Sequence, residues 1–326
     1  MKKILVTGSN GYIGNALVLA LLNRKEFTVR AAARRGSILN SKSFETVRLG
    51  SLEESLDYVE AFKGCDVLIH CASRGSMRGH EGWLDEAALH RINVLGTVHM
   101  AREAHRAGIS RFIFLSSLQV NGPETPAGKR FYADSLPRPK SPIGKALLEA
   151  EKELTRVGEE TGMEIVIVRP PLIYGPDCQN LFGEVKIMVD YCLPLPLRSC
   201  KRNHRSLVGI DNLVDFLICC ATHPDAANET FLVSDGVDLS TLNIFKLLAK
   251  THHRPCLLWP FPPILVRLFN SYIGRQAWEE FFFQSQVADI HKAQLVLGWT
   301  PPLSVEQSFR RSWDENFYLG SHTSSK

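Results

Sequence analysis

Three glycines, Gly8, Gly11 and Gly14, follow the apolar run Lys3–Thr7 and lead into Ile13–Asn23, a stretch with helical patterning. On a strand–turn–helix this spacing has a specific physical use. The first glycine permits a tight turn, the second lets backbone approach a pyrophosphate, and the third lets the helix pack closely on the strand. The helix start then offers free N–H groups and the positive end of its dipole to phosphate oxygens. The turn therefore predicts a bound nicotinamide dinucleotide. At the end of the second apolar run, where a carboxylate would hold the ribose hydroxyls, stand Ala32 and Ala33, followed by Arg34 and Arg35. A guanidinium forks well onto a 2′-phosphate, which favours NADP(H), with NAD(H) as the alternative.

A second constellation opens the helical stretch Ile143–Thr161. Ser141-Pro142 reads as a helix N-cap with proline at the first helical position, and Lys145 stands four residues after Ser141. In that role the serine oxygen is committed to a backbone N–H near Gly144. No metal site is expected. The eight cysteines, at 65, 71, 178, 192, 200, 219, 220 and 256, lack the paired short spacings that bind zinc, and reduced, mostly buried thiols are their expected state.

The elements that position these residues alternate. Short apolar runs at Lys3–Thr7, Thr28–Ala33, Val47–Leu49, Val67–His70, Arg111–Ser116 and Glu164–Arg169 flank helical stretches at Ile13–Asn23, Asp85–Arg106 and Ile143–Thr161. That order predicts a Rossmann-type α/β fold, a doubly wound parallel sheet over residues 1–169. After Arg169 the prolines at 170, 171, 176, 194 and 196 mark loops. Residues 170–320 then form a smaller, mainly substrate-binding region, with Val208–Ala221 and Thr241–Lys250 as helices returning to the main body, and residues 321–326 are a disordered tail.

With 326 residues, 44% hydrophobic and 22% charged, the chain reads as an ordinary soluble enzyme. Its formal charge of +4 is scattered rather than clustered, so nothing demands nucleic acid, and an anionic small substrate suits it. Gly8 to Gly11 interrupt any reading of the N-terminus as a secretory signal. The apolar neighbourhood Pro255–Phe283 is cut by Arg267, Arg275, Glu279 and Glu280, so no membrane span is expected. Packing on the core is its plain reading and lying on a membrane surface the alternative. The expected location is the cytoplasm.

Taken together, these segments resemble the extended short-chain dehydrogenase/reductases of the nucleotide-sugar epimerase/dehydratase family over nearly the whole chain. The resemblance is carried by Thr7–Gly14, His70-Cys71-Ala72, Asn93–Thr97, Phe114–Ser117, Lys145–Glu149, Arg169–Pro176 and Arg205–Val208 before Asp211. Within the family, Ser116–Gly122 and Leu232–Gly236 look most like bacterial UDP-sugar 4-ketoreductases and 4-epimerases of surface polysaccharide synthesis. The resemblance implies that Gly8, Gly11, Tyr12, Ile13, Gly14, Arg34, Arg35, Leu52, Ala72, Asn93, Lys145 and Pro171 line the cofactor site. It implies that Ser117 bonds the sugar C4 oxygen, that Lys145 holds the nicotinamide ribose with Asn93 supporting it, and that Arg205 meets the UDP diphosphate near Asn180. It also implies a homodimer through two helices.

The family works with a tyrosine and a lysine four residues later, the cation lowering the phenol's pKa so that it trades a proton with the substrate. On this register Lys145 supplies the lysine and Ser141 replaces the tyrosine, with Glu149 and Glu151 continuing the pattern; Ser51 stands where an aspartate often contacts adenine. A serine is too short and too weak an acid to do the phenol's work. Three readings follow: a UDP-sugar 4-ketoreductase, favoured by the arginines after the second strand; a UDP-hexose 4-epimerase; and a catalytically silent dinucleotide-binding regulator, favoured by Ser141.

Overall fold

The apolar run at the N-terminus forms β1 (Lys2–Thr7), an inner strand of a seven-stranded parallel sheet whose other strands are β2 (Phe27–Ala33), β3 (Glu45–Arg48), β4 (Val67–His70), β5 (Arg111–Leu115), β6 (Glu164–Arg169) and β9 (Thr230–Leu232), in the order β3-β2-β1-β4-β5-β6-β9. A computed structural model describes residues 1–34, 44–54, 56–73, 86–193, 201–259 and 276–314. The expected Arg35, the greater part of the Pro255–Phe283 segment and the tail 321–326 lie outside the described residues.

Both faces of the sheet are covered, which is why its central strands are apolar throughout rather than alternating. On one face α1 (Tyr12–Leu22) and α7 (Ile210–Thr222) bury Leu17, Leu21, Leu213 and Leu217 against Val6, Ile69 and Ile113. On the other, α2 (Val59–Phe62), α4 (Gly96–Arg106) and α5 (Pro142–Thr161) bury Phe62, Met100, Leu147 and Leu154 against Leu5, Leu68, Phe112 and Ile167. α4 is preceded by a short α3 (Glu86–Leu89) and a wider helical turn over His90–Leu95.

A third cluster belongs to the C-terminal half. There β7 (Leu172–Tyr174) and β8 (Leu207–Gly209) form a two-stranded parallel sheet packed with α6 (Leu181–Asp190), α8 (Thr241–Thr251) and the helices Gln276–Phe283 and Val305–Arg311. The expected helix over Val208–Ala221 starts later than its apolar run, because Leu207–Gly209 pairs with β7 first and Gly209 then caps α7. β7, β8 and β9, each three residues long, are too short to show a period and were not expected as strands.

Candidate dinucleotide and substrate cleft

The glycine turn closes on the two strands that flank the point where the sheet's order reverses. Gly8 has φ +68°, and a side chain on it would meet the backbone of Ala72 at 2.8 Å, just beyond β4. A Cβ on Gly14 would overlap the Gly8 carbonyl, so the start of α1 lies directly on the turn. The Gly11 N–H donates to the Gly8 oxygen at 2.8 Å, and Ser9 Oγ ties the turn to the Ala32 carbonyl at 3.0 Å. Gly11 is also the N-cap of α1 and brings no side-chain cap to the first-turn N–H groups. A helix leaves its first N–H groups without carbonyl partners of its own, and a diphosphate at this end of α1 would accept from them. The residues present thus fit a dinucleotide.

Around the turn, Tyr12 and Ile13 are partly buried, and the Tyr12 hydroxyl stands 2.5 Å from where a Cβ on Gly175 would lie, linking the turn to the end of β7. Ala72 is half-buried, and Arg34 is exposed at the end of β2. The Leu52 carbonyl lies 2.5 Å from the Cβ position of Gly96 and holds the first turn of α4 close to the loop after β3. Pro171 is buried just past β6, and its neighbour Pro170 accepts the Leu118 N–H at 2.8 Å. Beneath the turn, His70 is wholly buried between Thr7 Oγ1 (2.8 Å from Nδ1) and Thr97 Oγ1 (3.2 Å from Nε2), and desolvation pulls its pKa down to about 3. It is a neutral strut that joins β1, β4 and α4.

Two strands away, Ser117 leaves β5 half-exposed, at the carboxyl edge where parallel sheets hold ligands. Its Oγ accepts the Gln119 N–H at 3.2 Å. Below it lies a buried polar network absent from the expected site: Ser116 Oγ donates to Glu151 Oε1 at 2.5 Å, Arg169 clasps both Glu151 oxygens at 2.9 and 2.6 Å, and Arg169 also donates to Asn121 at 3.2 Å. The sequence carries a trace of it, since Glu151 falls at helical spacing among apolar residues of α5.

Ser141 caps α5 as its sequence implies, accepting the Gly144 N–H at 3.0 Å, and its hydroxyl donates to Gln119 Oε1 at 2.7 Å. Lys145 departs from expectation. The buried residues of α5 are Gly144, Ala146, Leu147, Ala150, Glu151, Leu154 and Val157, and at 100° per residue Lys145 falls on the opposite side, exposed with Glu149 and Lys152. Lys145 therefore lies away from the face that α5 turns to the sheet. The inward pair four residues apart in the first two turns is Ile143, partly buried, and Leu147, 5% exposed. Asn93 is buried in the wide turn between α3 and α4, which packs against α5.

On the C-terminal side, Asn180 caps α6 by accepting the Phe182 N–H at 3.0 Å and donates to the Ile173 carbonyl at 2.6 Å, which leaves one amide hydrogen for a ligand. Arg205 is 8% exposed and donates to the Glu280 and Gln284 carbonyls (2.7 and 3.3 Å) and to Gln286 Oε1 (3.3 Å), with its guanidinium over the Phe281 ring. Burial draws its pKa down to about 10. Its hydrogen-bond acceptors are neutral carbonyl oxygens and the Glu280 carboxylate offsets the desolvation of the cation only in part, a setting in which an arriving anion would add compensation. Among the described residues no group of histidine, cysteine or carboxylate side chains is arranged to hold a metal ion, and no helix is long and apolar enough to cross a membrane.

A doubly wound parallel sheet with a glycine turn at its switch point and polar side chains at its carboxyl edge is the α/β architecture of dinucleotide-binding proteins. More narrowly, the chain belongs to the NAD dependent epimerase/dehydratase family, whose profile matches residues 4–234. It is 34% identical over 311 residues to a UDP-glucose 4-epimerase of Vibrio cholerae, covering 95% of this chain and 94% of that protein. Its fold is similar to those of MoeE5 in complex with UDP-glucose and NAD (TM-score 0.77, 24% identity, 96% of this chain and 98% of the other) and of the Thermotoga maritima UDP-glucose 4-epimerase with UDP-glucose (TM-score 0.79, 21% identity, the same coverage).

Proposed function

We propose that the chain binds a nicotinamide dinucleotide on the Gly8–Gly14 turn and a UDP-sugar beside Ser117, and reduces a 4-keto UDP-sugar. The observation that carries this reading is the shared edge. The uncapped start of α1 and the Ser117 hydroxyl open at the carboxyl end of the same sheet, on either side of β4. The similarity to UDP-glucose 4-epimerases supports the sugar nucleotide, and exposed Arg34 with no carboxylate at the end of β2 supports NADP(H) over NAD(H). The bound nicotinamide supplies hydride to C4. Ser117 donates to the C4 oxygen as charge develops there, and Arg205 faces the diphosphate. The proton that completes the alcohol comes from water, because Ile143 and Leu147 leave hydrocarbon on the inward face of α5.

That same pair favours a second reading, in which the chain binds both ligands and turns neither over. Incubation with NADPH and a 4-keto UDP-sugar, and separately with NAD and UDP-glucose, tests the two. NADPH oxidation with a 4-hydroxy product is expected. Net epimerisation in the second reaction would replace the reductase by a 4-epimerase, and binding without turnover in either would establish the silent form. Arg34→Ala is expected to narrow the ratio of NADH to NADPH dissociation constants. An unchanged ratio would remove Arg34 from the 2′-phosphate.

A further inference from the structure

Gln119 joins the two serines that the cleft brings together. It sits on the short turn Leu118–Val120 that leaves β5, exposed between two buried neighbours. Its backbone N–H donates to Ser117 Oγ at 3.2 Å, and its side-chain oxygen accepts the Ser141 hydroxyl at 2.7 Å. The Ser141 oxygen in turn accepts the Gly144 N–H at 3.0 Å, and a Cβ on Gly144 would stand 3.0 Å from the Gln119 carbonyl. An exposed glutamine ordinarily samples many rotamers. Here both its backbone and the oxygen end of its carboxamide are fixed against the start of α5. Carboxamide geometry then turns Nε2 away from Ser141, with two N–H groups left to donate. Ser141 has its single proton engaged, so it is a prop for Gln119 and not a donor to a substrate.

We propose that Gln119 is a substrate-contacting residue whose Nε2 donates a hydrogen bond to an oxygen at or beside sugar C4, next to the Ser117 hydroxyl, where Ile143 offers no polar group. This rests on the reading of the cleft as a nucleotide-sugar site. A carboxamide is a neutral donor and no acid, so it gives affinity and selectivity for an acceptor oxygen on the sugar without supplying the proton. Ser141 is its positioning residue.

Calorimetry with UDP and with UDP-glucose separates the parts. Gln119→Ala is expected to weaken UDP-glucose by about 3- to 10-fold, the value of one neutral hydrogen bond, and to leave UDP unchanged. Ser141→Ala is expected to weaken UDP-glucose in the same sense, and Ser141→Thr, which keeps the hydroxyl, to restore it. Unchanged UDP-glucose affinity in Gln119→Ala would overturn the assignment while the nucleotide-sugar reading stands. An equal loss for UDP and UDP-glucose would also overturn it, as a general disturbance of the cleft. Failure of the unaltered protein to bind either ligand would instead remove the nucleotide-sugar reading and this inference with it.

Discussion

At the scale of single residues the glycine turn distinguishes effects on binding from effects on folding. Gly14 is pressed against the Gly8 carbonyl, and Gly8 needs a left-handed backbone, so a side chain at either disturbs the fold. Gly11 differs. It is exposed, its φ is −79°, and the nearest atom to an added Cβ is the Gly8 oxygen at 3.1 Å. Gly11→Val is therefore expected to keep the folded state while its branched side chain fills the space a pyrophosphate needs, lowering NADPH affinity by at least about 10-fold. Fluorescence titration checks this against a urea melt of the same variant, and retained affinity would move the phosphate elsewhere. The turn was legible in the sequence because glycine spacing reports backbone geometry directly. Ser141 was legible too, since serine before proline at a helix start has few other uses. The side of α5 that carries Lys145 was not legible in the sequence, because a short motif fixes neither the register nor the phase of the helix that carries it.

At the scale of elements, α5 decides what the cleft is able to do. With Ile143 and Leu147 on the inward arc and Lys145 outside, a tyrosine at 141 would remove the N-cap, which costs about 1 kcal/mol, and would not place a phenol on the inward face. Ile143→Tyr is the better restoration. Under the reductase reading it is expected to raise turnover of a 4-keto UDP-sugar by about 10²-fold or more through general acid catalysis, whereas Ser141→Tyr gives no gain. Steady-state rates by NADPH absorbance decide, and the reverse ranking would return Ser141 and Lys145 to the reacting centre. His70 makes a second prediction at this scale, because it is the strut between β1, β4 and α4. Its pKa is lowered from 6.5 to about 3, so the fold holds the neutral ring while the unfolded chain takes up a proton. Its contribution to stability is therefore full above pH 6.5 and is lost as the pH falls toward 3, by about 1.4 kcal/mol per pH unit. Between pH 7 and pH 5, His70→Gln is expected to lose about 2 kcal/mol less stability than the unaltered protein, read from urea midpoints. Equal losses would place the acid sensitivity in other groups.

At the scale of the whole molecule, the dinucleotide half and the C-terminal half are stitched together at the cleft by one extended segment. Thr125 N–H donates to the Ser285 carbonyl at 2.7 Å, Phe131 N–H to Val287 at 2.8 Å, and Asp289 N–H to Phe131 at 2.8 Å, while the Gln286 and Ser206 backbones bond across to residues 204 and 286 at 2.9 Å. Gln286 is the knot. Its Nε2 donates to the Gly122 carbonyl at 3.1 Å beyond Ser117, and its Oε1 accepts from Arg205 at 3.3 Å, so one buried side chain touches both halves and the cation assigned to the diphosphate. This coupling was invisible in the sequence, since the residues it joins lie more than 80 positions apart in one case and 164 in the other. Arg205→Ala should weaken UDP by about 1.5–3 kcal/mol, the range for a hydrogen bond to a charged group, and should also lower stability by removing the tie to residues 280–286. Gln286→Ala separates the two effects. It leaves the guanidinium present but less constrained, with the Gly122 carbonyl unsatisfied, so a stability loss of about 1–3 kcal/mol is expected together with a UDP loss smaller than that of Arg205→Ala. NADPH affinity should stay within about twofold in both variants, because the glycine turn lies on the other side of β4. Urea unfolding and paired titrations with UDP and NADPH measure all three quantities. A UDP affinity untouched by Arg205→Ala would place the diphosphate away from this segment, and a parallel loss of NADPH would mean that the C-terminal half organises both ligand sites as a unit.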